Sequence, residues 1–147
     1  MNKLYLVRGL PGSGKSTYAR SLGGVDHHYE ADMYFIDPET GEYKFNVSTL
    51  SEAHAWCQES TLNALIDDFD VVVSNTFTTY KEIKPYLIIA DYASVDVHIL
   101  TRTGDYGSIH GVPAEVIEKM RTRFQSDAEL KKIIDEEFPF LVTFGEV

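Results

Sequence analysis

Gly9-Leu10-Pro11-Gly12-Ser13-Gly14-Lys15-Ser16-Thr17 carries the most specific chemistry in this chain. Gly9 to Ser16 fit G-x-x-x-x-G-K-[ST], a spacing that turns backbone N–H groups inward around a phosphate. The glycines permit that turn, and a following helix adds the positive end of its dipole. The predicted phosphate-binding set is Gly9, Pro11, Gly12, Ser13, Gly14, Lys15, Ser16 and Thr17. Lys15 can reach the β- and γ-phosphates of a nucleoside triphosphate, and the Ser16 hydroxyl can ligate Mg²⁺.

Further residues could turn phosphate binding into phosphoryl transfer. Asp32, in Glu30-Ala31-Asp32-Met33-Tyr34-Phe35, either takes a proton from an attacking hydroxyl or caps a short helix. It could also hold Mg²⁺ through a water. Arg102, His110, Arg121 and Arg123 lie in or near a stretch whose Gly104, Gly107 and Gly111 would let a loop close over a phosphoryl group. Arg121 and Arg123, two positions apart, cannot share one helix face. Either one of them is a lid cation or both are solvated charges. On the acceptor side the candidates are Tyr34, Phe35, Asn75 and Phe77. Their aromatic rings would stack on a base or simply pack. One expected group is missing. Val71-Val72-Val73-Ser74-Asn75 ends without the aspartate that commonly holds Mg²⁺ in motor and switch NTPases, and Asp70 falls at the other end of that run.

The elements that must position these groups alternate in type. The apolar run Leu4-Tyr5-Leu6-Val7 predicts a buried strand over 3–8, with a helix over 15–22 stopped by Gly23-Gly24. A short strand near 28–30 and a loop over 36–46, turning at Pro38 to Gly41, come next. A helix is predicted over about 48–67, with Leu50, Ala53, Cys57, Ala64 and Leu65 on one face. The β-branched run 70–74 reads as a central parallel strand. A helix over 79–91 contains Pro85, which either bends it or marks a start within it. In the strand over 95–100, Asp96 and His98 alternate with Val97 and Ile99, which suggests a place nearer an edge. After a loop over 102–112, Pro113 opens a helix to about Phe124, followed by a helix over 127–137 and a last strand near 140–143. Such alternation predicts a doubly wound parallel sheet in three α/β/α layers. Ligands in these sheets bind at the carboxyl ends of the strands. The phosphate loop, Asp32, Ser74-Asn75-Thr76 and Thr101-Arg102-Thr103 should therefore border one cleft.

Composition narrows the function classes. A chain of 147 residues reads as one domain, with a lid near 102–125. No apolar stretch approaches membrane-spanning length, so no membrane partner is expected. Met1-Asn2-Lys3 runs straight into the first strand, which leaves no room for a signal peptide. Cys57 is the single cysteine and reads as core; a cytoplasmic setting fits. The net charge of −10 disfavours extensive non-specific grip on a duplex, though not a local basic groove. Trp56 reads as core, and His27, His28, His54 and His98 lack a metal-ligand pattern.

The chain resembles the phage-type polynucleotide 5′-hydroxyl kinases and their relatives among the small P-loop kinases. The resemblance rests on Pro11-Gly12-Ser13-Gly14-Lys15-Ser16-Thr17, Tyr18-Ala19-Arg20, Asp32 with Tyr34, Thr76, and Gly111-Val112-Pro113, and spans roughly residues 3–125. Gly41-Glu42-Tyr43-Lys44-Phe45-Asn46 and Glu52-Ala53-His54 are similar to a related group of kinase domains fused to larger proteins. The resemblance implies a kinase-type P-loop NTPase fold, with ATP and Mg²⁺ as donor pair. It implies Lys15 and Ser16 on the phosphates and metal, Asp32 as general base, and a lid arginine, Arg121 or Arg123, at the transition state. The chain departs from the pattern in its acceptor half. Phe35 stands where the family has an arginine that grips the acceptor's phosphate, Asn75 where an acid is usual, and Glu118 where a basic residue is common.

The reading that follows is a kinase that phosphorylates a hydroxyl of a nucleic acid or nucleoside-like acceptor. One alternative acceptor is hydroxymethyluracil within phage DNA; another is a nucleoside, sugar or antibiotic. A module that binds nucleotide without transfer is the remaining class. No Asn-Lys-x-Asp occurs, which favours ATP over GTP.

Overall fold

The computed structural model describes residues 2–22, 25–107 and 111–145. Gly23-Gly24, the predicted helix stop, and His110 lie outside the described residues. Five parallel strands form one sheet: β1 (Lys3–Arg8), β2 (His27–Tyr29), β3 (Val71–Asn75), β4 (Asp96–Thr101) and β5 (Val142–Phe144), in the order β2-β3-β1-β4-β5. The helices are α1 (Lys15–Ser21), α2 (Leu50–Ile66), α3 (Tyr80–Ala93), α4 (Ala114–Arg123) and α5 (Asp127–Glu137), with 3₁₀ turns at Ala31–Phe35 and Val47–Thr49.

Period-two alternation sends the strand side chains to two helical layers. Leu4, Leu6, Val71, Val73, Val97 and Ile99 pack with Cys57 and Leu65 of α2, Ile83, Leu87 and Ala90 of α3, and Leu130 and Ile134 of α5. On the other face Val7, Val72 and Leu100 meet Ala19 of α1. This is the doubly wound α/β architecture that the alternation predicts. β4 lies next to the edge of the sheet, as its alternation suggests, with the three-residue β5 outside it. Its His98 stacks on Tyr5 at 5.3 Å, so the polar alternation marks a half-covered sheet face. Pro113 precedes the first residue of α4, and α3 continues through Pro85 behind a capping box of Thr79 and Glu82.

The register aligns Arg8, Asn75 and Thr101 at the carboxyl rim. Arg8 is fully buried there. Its guanidinium donates to the Phe77 carbonyl at 3.0 Å, the Gln125 carbonyl at 2.7 Å and Asp127 Oδ1 at 3.1 Å, and it lies 4.0 Å from the Phe124 ring centroid. One side chain thus joins the base of the phosphate loop to the α4–α5 junction. Arg8→Leu would remove the donors and leave buried acceptors unpaired, which costs about 3 kcal/mol. Urea unfolding of this variant is expected to show that loss; an unchanged midpoint would mean that the junction holds without Arg8.

Candidate active site

The loop between β1 and α1 takes the shape its glycines allow. Gly12 and Gly14 sit at φ 81° and 85°, a left-handed conformation that L side chains rarely adopt. A Cβ on Gly9 would come within 2.3 Å of Ser13 Oγ and 2.7 Å of the Arg102 carbonyl oxygen. The loop is sewn to its neighbours by the Gly9 N–H donating to the Thr76 carbonyl at 3.3 Å, and the Arg102 N–H to that of Arg8 at 2.8 Å. The segment after β4 also touches it: the Tyr106 N–H donates to the Gly12 carbonyl at 2.7 Å, and the Tyr106 ring lies beside Gly14. The Arg102 guanidinium stacks on Tyr18, 4.3 Å from its ring centroid.

Lys15 lies over the loop, with Nζ 3.5 Å from the Leu10 carbonyl oxygen. Burial lowers its pKa, and the charges of Glu30 and Asp32 push it back up. The lysine therefore stands in the field of two carboxylates. Asp32 occupies the 3₁₀ turn after β2, half-buried, and accepts a hydrogen bond from the Tyr43 hydroxyl at 3.1 Å. Burial and the Asp32 charge push the Tyr43 phenol up to about 12, so it stays a donor at neutral pH. The turn is anchored by the Ala31 N–H donating to Asn75 Oδ1 at 2.9 Å. Asn75 thus fixes Asp32 to the end of β3.

Glu30 was not among the sequence-predicted residues. Its Oε2 accepts a hydrogen bond from Ser16 Oγ at 2.6 Å, and its Oε1 lies 3.6 Å from His28 Nε2. His28 in turn is 2.6 Å from Ser74 Oγ, and burial lowers its pKa. The group that Ser16 would hold fits this arrangement, because hydroxyl and carboxylate oxygens are the donors a hard Mg²⁺ ion takes.

The acceptor-side candidates divide between two depressions. Tyr34 and Phe35 line an open groove of about 480 Å³ with Ile36, Asp37, Lys44 and Asn46. Asn75 and Phe77 line a smaller one of about 110 Å³ with His54, Gln58 and Tyr86. Phe35 is largely buried, against Tyr34, Tyr43 and Phe45, and Phe77 packs on Tyr86. Those two rings are taken up by packing, whereas Tyr34 is 40% exposed. The two lid arginines part company. Arg123 Nε donates to Thr78 Oγ1 at 3.1 Å, beyond the end of β3, and Arg121 faces solvent with Glu118. Ser16, Lys15 and Asp32 are thus brought to one rim, and Arg121 is not.

No family model matches the chain. It is 32% identical over 153 aligned residues to human NEDD4-binding protein 2, covering 92% of this chain and 8% of that protein. It is 29% identical to an uncharacterized protein of Pasteurella multocida, covering 82% of this chain and 75% of that one. Among solved structures it is similar to a chain of the Pnkp1/Rnl/Hen1 RNA repair complex (TM-score 0.64, 18% identity, 90% of this chain and 46% of that one). It is also similar to a chain of the AvrRxo1-ORF1:ORF2 complex with ATP (TM-score 0.63, 15% identity, 99% and 55%) and to the APS kinase of Mycobacterium tuberculosis (TM-score 0.51, 16% identity, 85% and 98%). The chain spans about half the length of the first two of these solved chains. These likenesses show the shared fold, a doubly wound parallel α/β sheet with the phosphate loop after its first strand. Among the described residues, no helix is long and apolar enough to cross a membrane.

Proposed function

We propose that this chain is an ATP-dependent kinase that transfers the γ-phosphoryl group to a hydroxyl of a nucleic-acid or nucleoside-like acceptor. The observation that carries this reading is the placement of Lys15 beside Ser16 and within the fields of Glu30 and Asp32, at the carboxyl rim of a parallel sheet. The loop's N–H groups and Lys15 would hold the triphosphate, as in other proteins with this motif. Ser16, with a nearby carboxylate, would hold Mg²⁺, whose charge offsets that of the phosphate oxygens. Asp32, steadied by Tyr43, would take the proton of the attacking hydroxyl as its oxygen bonds to phosphorus and the bond to the leaving ADP oxygen breaks. Arg123 is the lid cation nearer the strand ends and would stabilise the charge of the transferring group.

One observation favours a small acceptor over a polynucleotide. The groove lined by Tyr34 and Phe35 carries Asp37 and Glu39, and its Lys44 already faces Asp37 and Glu42, each at 3.8 Å. With Phe35 in place of a phosphate-gripping arginine, this wall would repel a nucleic-acid backbone.

Transfer of labelled γ-phosphate from ATP with Mg²⁺ tests both readings. The acceptors are 5′-hydroxyl DNA and RNA, hydroxymethyluracil-containing DNA, and free nucleosides. Label on 5′ ends is expected from a polynucleotide kinase. Label on modified bases or on free nucleosides alone would keep the mechanism and move the acceptor. ATP binding with no label on any of them would count against a kinase for these acceptors.

A further inference from the structure

Glu30 and Asp32 are two positions apart, and the backbone turns between them so that they serve different neighbours. Glu30 follows the last residue of β2, and its carboxylate accepts the Ser16 hydroxyl at 2.6 Å with its side chain 15% exposed. Asp32 lies within the 3₁₀ turn and accepts the Tyr43 hydroxyl at 3.1 Å. The strand that commonly supplies a metal-holding acid offers none. Ser74 is buried against His28, and Asn75 is committed to the Ala31 N–H, with its amide nitrogen 3.9 Å from Cys57 Sγ.

A serine at the end of a phosphate loop ligates the divalent ion of the bound nucleotide. A carboxylate hydrogen-bonded to that same hydroxyl adjoins the ion's coordination sphere. We infer that Glu30 is the carboxylate that holds the nucleotide's divalent cation alongside Ser16, in place of the acid that β3 lacks, and that Asp32 is thereby left for the acceptor hydroxyl. His28, 3.6 Å from Glu30, and Lys15 are the cationic or potentially cationic groups facing this carboxylate, with Arg20 acting on His28. The inference rests on the nucleotide-binding reading above, but not on the identity of the acceptor.

The test is the affinity for a fluorescent ATP analogue, measured in EDTA and again in Mg²⁺, for the wild type, Glu30→Gln and Asp32→Asn. The amide of Glu30→Gln can still accept the Ser16 hydroxyl but carries no charge. The wild type is expected to gain about tenfold on adding Mg²⁺, a coupling of ordinary size. Glu30→Gln is expected to lose that gain while binding at least as well in EDTA, because a negative charge beside the phosphates is gone. Asp32→Asn is expected to keep the gain, and Glu30→Asp, which retains the charge, to recover part of it. A full Mg²⁺ gain in Glu30→Gln would overturn the assignment. So would an equal loss in EDTA and in Mg²⁺, which would mean that Glu30 only props the loop. A wild type that binds Mg²⁺ and ATP yet phosphorylates nothing would sink the kinase reading and leave Glu30 in place. A wild type that binds no nucleotide would sink both.

Discussion

Lys15→Ala is expected to fold as the wild type does and to lose nucleotide binding and transfer together, by a factor on the order of 10²–10³ in turnover. The side chain lies across the phosphate loop and outside the packed clusters, so its removal leaves the core intact. What changes is the local charge balance. The charges of Glu30 and Asp32 both act on the lysine, and without it two carboxylates face any incoming triphosphate. The variant therefore replaces an attraction with a repulsion at short range. Titration with a fluorescent nucleotide and a thermal melt check the prediction. Wild-type affinity in a folded Lys15→Ala would remove the phosphate role from this loop.

Asp32→Asn is expected to separate binding from chemistry. The amide oxygen can still accept the Tyr43 hydroxyl, so the 3₁₀ turn and its anchor at Asn75 remain. The group loses its ability to take a proton, and general-base catalysis contributes about 10²–10⁴-fold in rate. Turnover should fall by that order while the nucleotide dissociation constant moves by less than about threefold, the signature of an interaction used mainly at the transition state. Single-turnover transfer with the accepted substrate measures the first quantity, and nucleotide titration the second. Near-normal transfer in Asp32→Asn would show that the proton leaves by another route.

Local signals made part of this arrangement legible in sequence. The phosphate loop needs particular residue types at particular spacings, and the strand before it and helix after it have opposite periodicities. Both signals lie within about 20 residues, so they survive without three-dimensional information. Asp32 could be placed near the loop because strands of a parallel sheet end on one side. Glu30 could not be singled out, since the hydrogen bond that gives it meaning comes from Ser16 in another element. A search for an acid at the end of β2, once β3 had been seen to lack one, would have found it. Arg8 was missed for the opposite reason. An arginine at the end of an apolar strand looks like a solvated boundary, and its partners lie near residue 125. The aromatic residues were ambiguous because stacking on a ligand and packing in a core call for the same side chains. Burial of Phe35 and Phe77 and exposure of Tyr34 separate them. The alternation in β4 reported a half-covered face, and the strand does stand one place in from the edge of the sheet.

The Arg8 cluster also bears on how the chain reaches its fold. Two of the hydrogen bonds that bury its guanidinium join residues 117 and 119 positions apart. The strand that carries it stands in the middle of the sheet, between β3 and β4, so its apolar face waits for two later segments. Contacts of such high order form slowly, because a long loop must close before any of them contributes. During synthesis β1 emerges before the strands it pairs with, and the acceptors of its terminal guanidinium follow in two stages, the Phe77 carbonyl and then the α4–α5 junction. The phosphate loop springs from the end of that strand, so its final geometry is among the last features of the molecule to be set.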